Sequence, residues 1–148
     1  MVVLNKKTDR LLNHVWNTLP VSGHTMVYIG RFKHRPDVLH WGNPFSHNPS
    51  AVCDASMMLM PSRNMAVVAF GQWISAPIGC NVRQTWKDLA SRLGMKPELL
   101  REVVERNEDR RQWMLHNVNC LHDHDLVCWC SPKACHGDVL VQMLELNQ

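Results

Sequence analysis

The order of apolar segments predicts an α/β fold, a small and mostly parallel sheet covered by helices in a single domain. Two short, nearly all-apolar runs, Thr25–Gly30 and Leu126–Cys130, have the composition of buried parallel strands. Segments of helical periodicity fill the interval between them, and the second run is followed by a proline-containing break and a closing helix.

In chain order, Leu11, Leu12, Val15, Trp16 and Leu19 fall at helical spacing, so a short helix is expected over Thr8–Leu19, stopped by Pro20. The first strand follows and ends at Gly30. Arg31–Pro49 is polar and histidine-rich and contains Trp41-Gly42-Asn43-Pro44-Phe45, so it reads as a long loop. Ala51–Met60 fits a helix or an inserted flap equally well. Pro61-Ser62 caps a helix over Arg63–Ile74 with Val67, Phe70, Trp73 and Ile74 as its apolar face, broken at Ala76-Pro77-Ile78-Gly79. Thr85–Leu93 is a helix closed by Gly94, and Pro97 at a first-turn position opens another through Asn107. A further helix runs from Glu108 to about Leu121, with Trp113, Leu115, Val118 and Leu121 facing inward. The last helix spans Cys135 to about Leu146, its stripe formed by Val139, Leu140, Met143, Leu144 and Leu146.

Composition narrows the function class. The chain has 148 residues, 45% hydrophobic and 20% charged, which suits a folded domain with a real core rather than a disordered segment. A formal net charge of +3 permits a phosphate-bearing ligand but falls short of a dedicated DNA-binding surface, so nucleic acid is an allowed partner and not an indicated one. The N-terminus lacks a signal-peptide pattern, and no apolar stretch approaches the ~20 residues of a membrane span. A cytoplasmic protein with reduced cysteines is therefore expected, and no membrane partner. Glu98–Asp109 and Arg101, Arg106, Arg110 and Arg111 read as solvated helix faces.

The chemically specific segment is Cys128-Trp129-Cys130-Ser131-Pro132-Lys133-Ala134-Cys135-His136-Gly137-Asp138. Alternation along a strand puts Cys128 and Cys130 on one face and Val127 and Trp129 on the other. The turn into the next helix brings Cys130, Cys135 and His136 together at the carboxyl end of the strand, where open α/β sheets hold their ligands. Three readings stay open. Cys128, Cys130, Cys135 and His136 are a Cys₃His donor set for zinc. Alternatively, Cys135 is a thiolate whose pKa is lowered by the helix N-terminus, with His136, Lys133 or Arg31 beside it, serving as nucleophile or acid–base partner. In the third, the cysteines are small buried hydrophobes, as is expected for Cys53 and Cys80.

Three blocks together, Val27-Tyr28-Ile29-Gly30-Arg31, Trp41-Gly42-Asn43-Pro44-Phe45 and Leu126-Val127-Cys128-Trp129-Cys130-x-Pro132-x-x-Cys135-His136-Gly137-Asp138-Val139-Leu140, resemble a small domain of unknown function found widely in phages and bacteria, domain of unknown function 4326. Relative to that family, residues 1–24 form an N-terminal extension carrying the short helix, and 25–148 form the single α/β domain. A weaker likeness is to domain of unknown function 488, whose members also end in an apolar strand, a proline loop and Cys-His-Arg at a helix start. That likeness implies a Rossmann-like layout, and Gly137 here replaces the arginine. Neither family implies an activity.

The family blocks place Arg31 just after the first strand and Asn43-Pro44-Phe45 in the long loop, and with the first and last strands as neighbours both loops open onto the same sheet edge as Cys135. Arg31 offers a planar cation for phosphate or carboxylate, Asn43 a paired hydrogen-bonding edge, and Trp41 or Phe45 a stacking ring. Trp-Gly-Asn-Pro-Phe is also a structural turn in its own right. Asp138 either orients His136 or lies on the solvent face. The expectation is a domain that binds, and acts on, a nucleotide or other phosphate-bearing small molecule, with Cys135, His136 and Asp138 as catalytic residues and Tyr28, Arg31, Trp41, Asn43 and Lys133 as ligand contacts. The alternatives are a zinc-stabilised, non-catalytic module serving as a phage accessory factor, and a nucleic-acid-binding accessory protein.

Overall fold

The structure is a computed structural model that describes residues 2–6, 12, 14–32, 39–52, 54–76, 81–130 and 133–146. In chain order its elements are β1 (Val3–Asn5), β2 (Met26–Tyr28), β3 (Phe45–Ser46), β4 (Met58–Leu59), α1 (Arg63–Ile74), α2 (Val82–Leu93), α3 (Pro97–Arg106), α4 (Glu108–Asn117), β5 (Asp125–Cys128) and α5 (His136–Leu146). Short 3₁₀ turns lie at Pro49–Ala51 and Val118–Leu121. This is the expected small α/β fold with mostly parallel strands. Contacts divide the chain into two units, residues 1–42 with 116–148, and residues 43–115. No helix among the described residues is long and apolar enough to cross a membrane.

In the first unit β5 is the central strand of a parallel sheet ordered β1-β5-β2. Register pairs Leu4 with Val127 and Val127 with Tyr28, so these side chains share one face. They pack there with Leu12, Val15, Met26 and Phe32. Val3, Leu126, Val27 and Cys128 point to the opposite face, which α5 covers. The fit is close at Gly137. A Cβ built there would lie 2.7 Å from Ile29 Cδ1 and 3.1 Å from both Val3 methyls, so a side chain at position 137 requires Ile29 to shift and Val3 to give way. Leu140 and Leu144 of α5 are fully buried, whereas Leu146 at its end is 77% exposed and leaves the expected stripe.

Three expectations are corrected here. β1 lies in the extension and was not foreseen: it is three residues long and exists through its pairing with the distant β5. The helix expected over Thr8–Leu19 is not formed at residues 14–19, which are a turn and irregular backbone; positions 8–11 and 13 are outside the described residues. The cause is tertiary. The Asn17 carbonyl accepts from the Tyr28 amide at 2.8 Å, and the Asn17 side chain donates to the Met26 and Leu19 carbonyls, so Asn17 ties this segment to β2. The second apolar strand stops at Cys128, because the chain turns at Trp129-Cys130.

In the second unit β3 and β4 form a two-residue parallel pair, Phe45 with Met58 and Ser46 with Leu59. Of the ambiguous Ala51–Met60 segment, Ala51 closes a 3₁₀ turn and Met58–Leu59 is a short strand. Ser62 caps α1, its hydroxyl accepting from the Met65 amide at 3.1 Å. Phe45, Phe70 and Trp73 meet edge-on or tilted in the core. Asn81 caps α2, which begins before Thr85, and Gly94 ends it in the left-handed region at φ 66°. Arg111 is not on a solvated face. It is fully buried, grips both Glu108 oxygens at 3.1 and 2.8 Å, and donates to the Ala76 carbonyl at 2.6 Å. Arg101 and Arg106, by contrast, form exposed pairs with Glu105 and Glu102. Trp113 and Leu115 are only partly buried, and Met114 takes the inward position in their place. Cys53, Cys80 and the break at 77–79 lie outside the described residues.

Two substitutions test this packing by urea unfolding. Arg111→Ala strands the Ala76 carbonyl and leaves the Glu108 carboxylate with only Gln112 among the described residues, so it should cost about 3 kcal/mol; a loss below about 1 kcal/mol would contradict the burial. Gly137→Val should cost about 1–3 kcal/mol by overpacking against Ile29 and Val3, and an unchanged midpoint would show that α5 sits farther from the sheet.

Candidate functional site at the carboxyl edge of the parallel sheet

The three strands of the first unit run in one direction, so their carboxyl ends lie side by side. The ladder continues past each of them: the Lys6 amide donates to the Cys128 carbonyl at 2.7 Å, and the Ile29 amide to the Val127 carbonyl at 2.9 Å. Lys6, Ile29 and Trp129 thus sit at one edge, and the alternation of the sheet sorts the chemistry there onto two faces.

The α5 face carries thiols and an imidazole. Cys128 is 1% and Cys135 2% exposed, and their sulfurs are 3.3 Å apart. Cys130 is partly exposed; its amide donates to the Cys128 sulfur at 3.4 Å. His136 Nδ1 is 3.6 Å from the Cys135 sulfur, and its Nε2 is 2.8 Å from the Ile29 carbonyl oxygen. A carbonyl oxygen only accepts, so Nε2 carries the proton, and in the neutral ring Nδ1 is an acceptor aimed at the thiol.

Cys135-His136-Gly137-Asp138 is also a capping box with cysteine in the serine position. The Cys135 sulfur accepts from the Gly137 amide at 3.4 Å, and the Asp138 carboxylate reaches back to the Cys135 amide at 3.0 Å. The helix N-terminus therefore has its own anion, Asp138, and its first donors are used internally.

The thiolate expected at Cys135 is not supported by its surroundings. Contacts with the Cys128 and Cys130 thiols, together with burial, push the Cys135 pKa up, against the direction in which a helix N-terminus acts. Among the described residues no group of three or more His, Cys, Asp or Glu side chains stands spaced to hold a metal ion.

The other face carries a cation among aromatic rings. Lys6 is almost wholly buried, donates to the Leu12 carbonyl at 2.6 Å and lies 4.0 Å from the centre of the Trp16 ring, 5.7 Å from Tyr28 and 5.8 Å from Trp129. Burial lowers its pKa. Trp16 meets Tyr28 edge-on at 5.0 Å, and Phe32 closes on both rings. Trp16 and Trp129 nevertheless keep 46% of their surface in solvent. Sequence reasoning did not select Lys6, Trp16 or Trp129 as site residues. The exposed tryptophans were the signal, and it is visible only once burial is known.

The remaining expected residues fall as follows. Tyr28 is buried, accepts from Trp129 Nε1 and donates to the Arg31 carbonyl, each at 3.0 Å, and burial raises its pKa. Arg31 is partly exposed at the end of β2 and lies against Gly42, where an added Cβ would overlap its side chain. Trp41 is fully buried with Nε1 donating to the Thr18 carbonyl, so it is a plug and offers no free ring face. Phe45, also buried, is likewise core. Asn43 belongs to the second unit. Its Nδ2 donates to the Ala66 carbonyl at 3.0 Å and its Oδ1 accepts from the Phe45 amide at 2.9 Å, the structural turn that the sequence also allowed. Lys133 is exposed in the loop before α5.

The chain matches no curated protein and no solved structure. A family model, Domain of unknown function (DUF4326), matches residues 16–146, from Trp16 to the end of α5. That span includes all three motif blocks, the tryptophans of the aromatic face and every thiol and imidazole described above, and the chain belongs to this family, Domain of unknown function (DUF4326).

Proposed function

We propose that the first unit binds a mononucleotide at the carboxyl edge of its sheet, on the aromatic face. The observation that carries this reading is the pairing of two half-exposed indoles, Trp16 and Trp129, with two cationic side chains, Lys6 and Arg31, at the end of parallel strands. An indole face accepts a nucleobase whatever its hydrogen-bonding edge, and stacking of this kind is worth about 1–3 kcal/mol per base. The Arg31 fork suits a phosphate, and the Lys6 ammonium adds positive potential beneath the rings.

The reading favours binding over catalysis by Cys135. A buried, protonated thiol is a poor nucleophile, and Asp138 already fills the anion position at the start of α5. The α5 face serves in this reading as the rigid support that holds Ile29, and through it the Arg31 loop, in place.

Calorimetric titration with AMP, GMP, CMP and UMP tests it, with ribose 5-phosphate and the nucleosides as controls. Saturable binding of at least one nucleotide is expected, weaker for its nucleoside and for ribose 5-phosphate alone. Trp129→Ala and Arg31→Ala should each weaken it about tenfold, within the roughly 5- to 150-fold range that 1–3 kcal/mol spans. Absence of binding by all four nucleotides, or wild-type affinity in both variants, would overturn the proposal.

A further inference from the structure

The thiols on the α5 face are close enough to one another to react. Cys128 and Cys135 are 1% and 2% exposed with their sulfurs 3.3 Å apart, so closing a bond of about 2.05 Å draws them together by about 1.3 Å. Cys130 is partly exposed, and its thiol also contacts Cys135. Cys135 thus touches one buried thiol and one on a partly exposed residue. The fourth member is a base. His136 Nδ1, left as an acceptor by the Nε2 bond to the Ile29 carbonyl, stands 3.6 Å from the Cys135 sulfur. Contact with the Cys128 and Cys130 thiols, together with burial, keeps Cys135 protonated, so a proton acceptor beside it is what its sulfur needs in order to attack. A thiol placed like this is shut off from substrates in solution, but attack on a neighbouring sulfur needs no access.

We infer that Cys128, Cys130 and Cys135 form a thiol–disulfide exchange site for a low-molecular-weight disulfide such as oxidised glutathione. Cys130 meets the disulfide, and a Cys128–Cys135 bond is the oxidised state that results. In the first step the Cys130 thiol gives its proton to solvent, and its sulfur attacks one sulfur of the incoming disulfide. A mixed disulfide forms on Cys130, and one small thiolate leaves and takes up a proton. In the second step the Cys135 sulfur attacks the Cys130 sulfur while His136 Nδ1 accepts the Cys135 proton. The second small thiolate leaves, and the imidazolium supplies its proton. In the third step the Cys128 sulfur attacks Cys135, and Cys130 leaves with the proton that Cys128 gives up. Two protein thiols have then lost two electrons and two protons, and one small disulfide has become two small thiols. The exchange lies on the α5 face and does not rest on nucleotide binding, so failure of either reading leaves the other standing.

Reduced wild-type protein incubated anaerobically with excess oxidised glutathione, then denatured and alkylated, tests this by intact mass and peptide mapping. The expected product is lighter by two hydrogens, has Cys128 linked to Cys135, and returns to thiols with dithiothreitol. Cys135→Ser removes the resolving sulfur and should hold a glutathione adduct on Cys130. Cys130→Ser, at the partly exposed position, should keep the far-ultraviolet circular dichroism of the parent. It should slow the Cys128–Cys135 linkage by about tenfold or more, because only buried sulfurs are then left to meet the disulfide. The wild-type product is read without any variant. Wild-type protein that keeps Cys128 and Cys135 as thiols, or that takes glutathione on Cys130 and goes no further, would overturn the inference. So would linkage at the parent rate in Cys130→Ser.

Discussion

The hydrogen bond from His136 Nε2 to the Ile29 carbonyl is the contact on which the sheet edge depends. It joins the first turn of α5 to the end of β2, across the central strand that lies between β1 and β2. Because the acceptor is a carbonyl, the bond also decides the tautomer, and the tautomer decides what Cys135 meets. Gly137 completes the arrangement by letting the helix backbone approach Ile29 and Val3. The contact between the Cys128 and Cys135 sulfurs and the capping box at Cys135 both lie in that one turn.

The sheet then divides two kinds of chemistry that a linear reading places together. Val127 and Trp129 belong to the side of Tyr28, Lys6 and Trp16, while Cys128 and Cys135 belong to the side of α5. A cation among rings and a set of soft donors are thereby kept apart by one strand. Each side is satisfied by its own contacts: Lys6 by Leu12 and Trp16, Cys135 by Cys128, Gly137 and Asp138.

Much of this was legible in the sequence where the signal is local. Pro61-Ser62 and Pro97 mark the starts of α1 and α3, and Gly94 the end of α2, because caps and breakers act within a turn. The approach of Cys135 and His136 to the end of the last strand was legible too, but with Cys130 as the third member, whereas the sulfur 3.3 Å from Cys135 is that of Cys128, because the chain bends at Trp129-Cys130. What was not legible depends on distant partners. Val3–Asn5 is a strand only because β5 lies beside it, and residues 14–19 forgo a helix because Tyr28 takes the Asn17 carbonyl. Arg111 looks like any helix-surface arginine until Ala76 and Glu108 are seen to enclose it. Trp41 and Asn43 carry polar atoms that a ligand or a backbone carbonyl satisfies equally well, and here Thr18 and Ala66 supply the carbonyls.

The protonation of His136 tests the architecture most directly. Long-range proton–nitrogen correlation in ¹⁵N-labelled protein distinguishes the two ring nitrogens. A single Nε2–H species, its proton slow to exchange, is the expected result. An Nδ1–H ring, or one exchanging freely between tautomers, would mean that the Ile29 carbonyl does not hold it and that the start of α5 is placed by something else.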